Sequence, residues 1–119
     1  MNIFKKFRAS LRLSEAIRQA DEAYQETGER YYVMPADSNN DQLIVMDRSN
    51  FRKLKQKGYV SRTAKVFNLE QECFYCTPYK NGNGELSASV IEMKRKSYYT
   101  WIKLNSMFKK AKRNGKQEK

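Results

Sequence analysis

The sequence of 119 residues contains no histidine. Histidine is the base of Ser-His-Asp and Cys-His nucleophile systems and a common metal ligand, so these classes of site are excluded. No stretch approaches the ~18 apolar residues that a membrane-spanning helix needs. Residues 1–8 lack the apolar segment and cleavage site of a signal peptide. Two cysteines allow at most one disulfide, which is typical of intracellular proteins, so we expect a cytoplasmic location.

Acidic residues are scarce in two segments, and these segments give the chain its formal charge of +11. Residues 51–65 hold six basic side chains and no acidic one, and residues 92–119 hold ten basic and two acidic side chains. Hydrophobic residues make up 39% of the chain, which is enough to build a packed core. The uneven charge predicts an anionic partner at one or both basic segments.

The helix and strand signals predict three segments: an amphipathic arm over 1–12, a single α+β domain over 13–113 and a frayed tail over 114–119. The expected elements are an N-terminal helix, a β-hairpin, a short helix, a candidate third strand and a long basic C-terminal helix. We expect the last helix to pack on a small antiparallel sheet.

Capping residues and strand formers set the predicted elements in the first half of the domain. A helix is predicted between Ser14 and Gly28, with Ser14 as its N-cap and Gly28 as the left-handed residue that follows its C-terminus. Residues 30–34 and 42–46 are rich in aromatic and β-branched residues, and turn formers separate them. This pattern predicts the β-hairpin.

The second half begins with a short helix that Ser49 caps and Gly58 ends. Residues 60–67 are the candidate third strand. Ser89, with an acidic residue three positions later, predicts the start of the last helix, which is expected to end near Arg113.

The arm carries Phe4, Phe7 and Leu11 at helical spacing, but this stripe points away from the apolar stripe of the following helix. Either the helix breaks near Ser10–Ser14, or the first ten residues pack on something else, and we expect a separate arm that is mobile or docked to a partner. Docking to a protein partner or to a second copy, binding to a membrane surface and ordinary core packing all stay open for these side chains.

The last helix carries a basic stripe opposite its apolar side. Lysine and arginine at three- and four-residue steps match an array of phosphates, and an exposed tyrosine can stack on a base. A solvated helix face is the other interpretation, although such a face normally includes acidic residues at i,i+4. The stripe consists of Lys96, Tyr99, Lys103, Lys110 and Arg113.

A second basic block lies in the short helix. If that helix were beside the last one, the two would form one continuous basic surface for nucleic acid. This block consists of Arg52, Lys53, Lys55 and Lys57.

Cys73 and Cys76 form a CxxC motif. A redox dithiol of the usual kind stands at a helix N-terminus, and the Pro and Gly residues that follow leave no room for that helix. Zinc would need two further ligands, which a dimer would have to supply. We expect buried structural thiols, with a metal site shared across a dimer as the alternative.

Nothing in the sequence defines a catalytic centre or a cofactor site. The acidic pairs Glu70/Glu72 and Asp37/Asp41 lack accompanying residues that would define a substrate site, and no phosphate-binding glycine loop is present. We therefore expect a protein that is not an enzyme and that uses no cofactor.

Three segments, Thr27–Pro35, Leu43–Arg48 and Glu72–Tyr79, carry a resemblance. In them the chain resembles a family of small basic proteins from anaerobic gut bacteria that tend to accompany mobile elements and have no known activity. The resemblance implies a stand-alone bacterial protein in DNA-associated company, and it assigns no functional residue.

Together these observations predict a small non-enzymatic binding protein that contacts the phosphates of DNA or RNA through a basic helix face. The alternative is a protein-interaction module that docks an acidic partner, or inserts Phe4, Phe7 and Leu11 into an apolar groove.

Overall fold

A computed structural model describes residues 3–36, 41–58 and 69–117, with side chains described as far as residue 107. The architecture is α+β, as predicted. The elements in chain order are α1 (Ile3–Thr27), β1 (Tyr32–Pro35), β2 (Leu43–Met46), α2 (Arg48–Gln56), α3 (Leu69–Glu72), β3 (Tyr75–Cys76) and α4 (Ala88–Gln117).

The three described strands form an antiparallel sheet in the order β2-β1-β3. Tyr32 of β1 lies opposite Met46 of β2 on one side and opposite Cys76 of β3 on the other. The predicted hairpin is therefore confirmed. The third described strand is β3, and the candidate strand at 60–67 lies outside the described residues.

Helix α1 runs without a break through Ser10–Ser14, so the predicted interruption and the predicted cap at Ser14 are wrong. Its buried seam consists of three alanines and one leucine at four- and three-residue steps: Ala9, Leu13, Ala16 and Ala20. This seam continues through the predicted break because alanine favours the helix and allows close packing. The helix ends as expected at Gly28, whose φ is +75° and whose N–H donates to the Tyr24 carbonyl at 2.8 Å.

The N-caps of α2 and α4 lie two residues before the predicted ones. Asp47 caps α2, because its carboxylate accepts from the N–H of Asn50 at 2.7 Å. Ser87 caps α4, because its hydroxyl accepts from the N–H of Val90 at 3.3 Å. Helix α4 continues to Gln117 and so passes the predicted end at Arg113.

The sheet separates two apolar clusters, because successive strand residues point to opposite faces. On the first face, which we call the thiol face, the strands pack against α2 and α3; its buried residues are Tyr32, Met34, Met46, Phe51, Leu69, Cys73 and Cys76. On the second, the aromatic face, the strands pack against α1 and α4; its buried residues are Ala9, Leu13, Ala16, Ala20, Val33, Phe74, Tyr98 and Ile102. The packing of α4 on the sheet is as predicted.

Among the described helices, none is both long and apolar enough to cross a membrane.

Candidate functional site

The basic stripe of α4 lies beside the N-terminal part of α1. The Lys5 ammonium donates to the Ser106 hydroxyl, and the Tyr98 hydroxyl donates to the Ala9 carbonyl at 2.6 Å. Residue numbers rise along α1 as they fall along α4, so the two helices run antiparallel. The Lys6 ammonium lies 5.8 Å from the centre of the Tyr99 ring, within the range of a cation–π contact.

This arrangement combines two acid-free segments into one surface. Residues 3–14 of α1 and residues 93–117 of α4 contain no acidic side chain. We call Lys5, Lys6, Lys96 and Lys103 the α1–α4 basic surface. Its last three lysines are exposed, and Lys5 is half-buried at its hydroxyl acceptor.

The predicted stripe residues differ in how they are placed. Lys96 and Lys103 are exposed, as a phosphate contact requires. Tyr99 is half-buried, with its ring centre 5.4 Å from that of Tyr98 and with Lys6 over it, so it supports Lys6 and offers a reduced surface for stacking. Lys110 and Arg113 belong to α4, but their side chains lie outside the description.

The second basic block does not extend this surface. Its helix, α2, packs through Phe51 on the thiol face, whereas the stripe of α4 belongs to the helix pair on the aromatic face. Lys55 is half-buried, with its ammonium 5.9 Å from the Phe51 ring centre. The remaining members, Arg52, Lys53 and Lys57, are exposed. The neighbour of the described part of the stripe is therefore the start of α1, and the condition for one continuous basic surface with α2 is not met.

The apolar residues of the predicted arm are on the outer side of α1. Ile3, Phe4, Phe7 and Leu11 are each more than half exposed. Leu11 also borders a groove of about 430 Å³ between α1 and β2, which Leu43 and Val45 line from the sheet. The structure therefore places these side chains outside the described core, and core packing within this chain is wrong for them.

The most unusual chemistry of the molecule is at the CxxC motif. Cys73 follows α3 and Cys76 ends β3, and both are buried free thiols. The guanidinium of Arg30 donates to the Cys76 sulfur at 3.1 Å. The ammonium of Lys94, from α4, donates to the Cys73 sulfur at 3.4 Å. Two cations, 4% and 9% exposed, therefore contact the two sulfurs of the motif.

Further bonds hold both cations in place. Arg30 donates to the carbonyls of Thr77 at 2.8 Å and Gly84 at 3.0 Å, and its guanidinium lies 4.2 Å from the centre of the Tyr79 ring. Lys94 donates to the carbonyls of Glu70 at 2.6 Å and Cys73 at 2.9 Å. These bonds fix each cation at its sulfur.

The surroundings move the pKa values of the two thiols in opposite directions. A hydrogen bond from Cys73, supported by the charge of Arg30, lowers the pKa of Cys76 below its ordinary value although the group is buried. The same hydrogen bond, together with burial, raises the pKa of Cys73. The pair therefore titrates as a unit in which the first proton leaves more easily than from an ordinary thiol.

Arg30 and Lys94 are functional candidates that sequence reasoning missed. Charged residues are normally on the surface, and Arg30 stands next to a strand with no pattern that marks it as buried. A signal did exist for Lys94, because Lys94, Tyr98 and Ile102 follow one another at four-residue steps along the buried side of α4.

Arg30 also lines a cleft of about 480 Å³. Arg48, Tyr79 and Lys80 contribute to its walls, and Gly28 lies beneath the Lys80 side chain. Arg30 thus lines this cleft and also contacts the sulfur of Cys76.

Within the described residues, no three histidine, cysteine, aspartate or glutamate side chains come together to hold a metal ion. Comparison of the chain with protein-family models, with curated proteins and with solved structures gave no match.

Proposed function

We propose that this protein is a nucleic-acid-binding protein that contacts DNA or RNA phosphates through the α1–α4 basic surface. The observation that carries the proposal is the side-by-side packing of two acid-free helix segments, joined by the contacts of Lys5 with Ser106 and of Lys6 with Tyr99. Lys96 and Lys103 are three and four residues from Tyr99 and so share its side of α4, where Lys6 of α1 contacts the ring.

The chemistry of this surface suits a polyanion better than a small anion. Lys96 and Lys103 are seven residues apart on one helix, which is about 10 Å along its axis. Lysines this far apart reach separate phosphates of a polyanion rather than a single small anion, and each contact releases condensed counterions. Direct reading of base edges needs side chains that enter a groove, so we expect binding with little sequence preference and steep dependence on salt.

The test is fluorescence anisotropy with labelled single-stranded DNA, duplex DNA and RNA between about 50 and 200 mM salt. The double variant Lys6→Glu/Lys103→Glu should bind at least about tenfold more weakly at low salt, with a shallower salt slope. The matched control is Lys53→Glu/Lys57→Glu, at the end of α2 and at its C-cap, which changes the net charge equally on the other side of the sheet.

The control variant should retain most of the affinity if the surface is specific. Equal losses in both double variants would show that net charge alone causes binding, and no binding by the wild type at low salt would refute the proposal. Thermal unfolding of both variants should match the wild type, because exposed lysines contribute little to stability.

A second candidate function rests on the exposed apolar side chains of α1. Four large apolar residues are exposed on one side of α1, and the last of them, Leu11, borders a groove; such a patch is typical of a surface that a protein covers. For self-association, sedimentation velocity should show a dimer that Phe4→Ser/Phe7→Ser converts to a monomer. A monomeric wild type across micromolar concentrations would remove self-association from consideration.

A further inference from the structure

The CxxC motif lies in an environment that structural thiols do not require. A buried thiol packs as a small apolar group and needs no charged partner. Here each sulfur accepts a hydrogen bond from a buried cation, Cys76 from Arg30 and Cys73 from Lys94. The two cations come from elements far apart in the chain, so local sequence does not account for their convergence.

The charges of this cluster do not balance while both thiols are protonated. The Glu70 carboxylate lies 3.6 Å from Arg30, and its side chain is 55% exposed. Among the described residues, Lys94 has no carboxylate partner, since it donates to two carbonyls and to the Cys73 sulfur. An uncompensated buried cation is costly, and a negative charge on the sulfur pair would offset that cost.

A metal ion would not restore this balance. Zinc is held by thiolates whose charge it neutralises, and two cations already at the sulfurs would repel a third. The positive surroundings instead favour one thiolate shared by the pair. Lysine or arginine beside a sulfur is the arrangement that makes cysteine nucleophilic.

We propose that Cys73 and Cys76 form an oxidisable dithiol that a peroxide converts into an intramolecular disulfide, with Arg30 and Lys94 as positioning residues that stabilise the reacting thiolate. The site is separate from the α1–α4 basic surface, and the proposal stands or falls independently of nucleic-acid binding.

The reaction balances in two steps. The Cys76 thiolate attacks one peroxide oxygen, so that a sulfur–oxygen bond forms, the oxygen–oxygen bond breaks and hydroxide leaves with a proton taken from solvent. The Cys73 sulfur then attacks the Cys76 sulfur; its proton leaves with the displaced hydroxide as water. Two electrons pass from the thiols to the peroxide, and hydrogen peroxide yields two waters.

A small oxidant has a short route to the site. Arg30 lines the cleft of about 480 Å³, and its guanidinium donates to the Cys76 sulfur at 3.1 Å. Tyr79 also lines the cleft, is 43% exposed and has its ring centre 4.2 Å from the Arg30 guanidinium, so we infer that peroxide enters on this side. This route suits hydrogen peroxide better than a bulky disulfide.

In the experiment, the reduced protein of 119 residues is treated with hydrogen peroxide, and the reaction is then quenched. The protein is unfolded, alkylated and digested with trypsin. The tryptic peptide 66–80 contains both cysteines and no methionine, so methionine oxidation does not confuse the result. The expected product is this peptide with two hydrogen atoms fewer and no alkyl group. Folded protein should form it faster than protein in urea, although its thiols are buried.

Variants test the assigned roles. Cys73→Ser should stop the reaction at Cys76 with one added oxygen, and Cys76→Ser should react at least about tenfold more slowly than Cys73→Ser. Lys94→Met should slow disulfide formation, whereas Arg95→Met, an exposed neighbour with the same charge change, should not. Oxidation of the folded protein no faster than in urea, equal effects of these two variants, or zinc that co-purifies with the protein would each overturn the proposal.

Discussion

The two faces of the sheet bury different chemistry. The aromatic face buries mainly apolar side chains. The ring centres of Phe74 and Tyr98 are 5.2 Å apart, and those of Phe74 and Trp101 are 5.5 Å apart. The basic residues of its two helices remain mostly at the solvent side. The thiol face buries two cations, Arg30 and Lys94, beside two sulfurs.

This difference implies that the two faces respond differently to mutation. Stability on the aromatic face depends on buried apolar area and volume. A substitution there lowers the free energy of unfolding in proportion to the apolar area and volume that it removes. On the thiol face it depends on bonds of fixed geometry and on charge, because an unpaired buried polar group is costly. A substitution that changes shape by one methyl group should therefore matter more where Arg30 is held.

The largest expected effect is on the aromatic face. Tyr98 is fully buried, and Tyr98→Ala should lower the free energy of unfolding by about 3–5 kcal/mol, as for other large aromatic deletions. Tyr98→Phe removes the hydroxyl that bonds the Ala9 carbonyl and should cost about 1 kcal/mol. Urea unfolding followed by circular dichroism gives both values. Similar costs for the two variants would mean that the α1–α4 hydrogen bond, rather than the ring, stabilises this face.

Two glycines allow a matched test of how firmly Arg30 is held on the thiol face. Gly82 and Gly84 both have positive φ, +84° and +79°, so alanine is strained at either position. An added Cβ at Gly82 meets nothing within 4 Å, whereas at Gly84 it would lie 2.9 Å from the Tyr79 ring and 3.3 Å from the Arg30 guanidinium.

Gly82→Ala should therefore cost about 1 kcal/mol of unfolding free energy, and Gly84→Ala about 1–3 kcal/mol more. Thermal and urea unfolding measure the difference directly, because the backbone contribution is common to both variants. Equal costs would indicate that Tyr79 moves aside freely and that Arg30 is held less firmly than its bonds suggest.

The parts of the fold that the sequence predicted are those that local patterns determine. The hairpin followed from β-branched and aromatic runs around turn formers, and the end of α1 followed from Gly28. The continuity of α1 was missed because its buried seam is largely alanine, which carries a weak hydrophobic signal. Strand β3 has two residues and is too short to give a periodic pattern.

The candidate sites show the same limit. Exposure of Lys96 and Lys103 could be predicted from helical spacing, because spacing fixes which side of a helix a residue occupies. Their neighbours could not, since the packing of α1 rather than α2 beside α4 is decided by tertiary contacts between distant segments. The burial of Arg30 and Lys94 likewise depends on hydrogen-bond acceptors that are distant in sequence. Arg30 donates to the carbonyls of Thr77 and Gly84, and Lys94 donates to the carbonyl of Glu70.

The smallest expected effect concerns one polar bond at the edge of the aromatic face. The Tyr75 hydroxyl donates to the Asp21 carboxylate at 2.7 Å and so joins β3 to α1. Burial, followed by this hydrogen bond and the charge of Asp21, raises the pKa of Tyr75 above its ordinary value; Cys76 and Glu85 act in the same direction.

Because the folded state favours the protonated phenol, its contribution to stability is fully present below the unfolded pKa of about 10 and is lost as the pH rises above it. Tyr75→Phe should cost about 1 kcal/mol at neutral pH. Above pH ~10 the wild type should lose stability more steeply than this variant, so the two unfolding curves converge. Urea unfolding between pH 7 and about 11 measures the convergence, and a constant difference across that range would show that Tyr75 ionises with equal ease in both states.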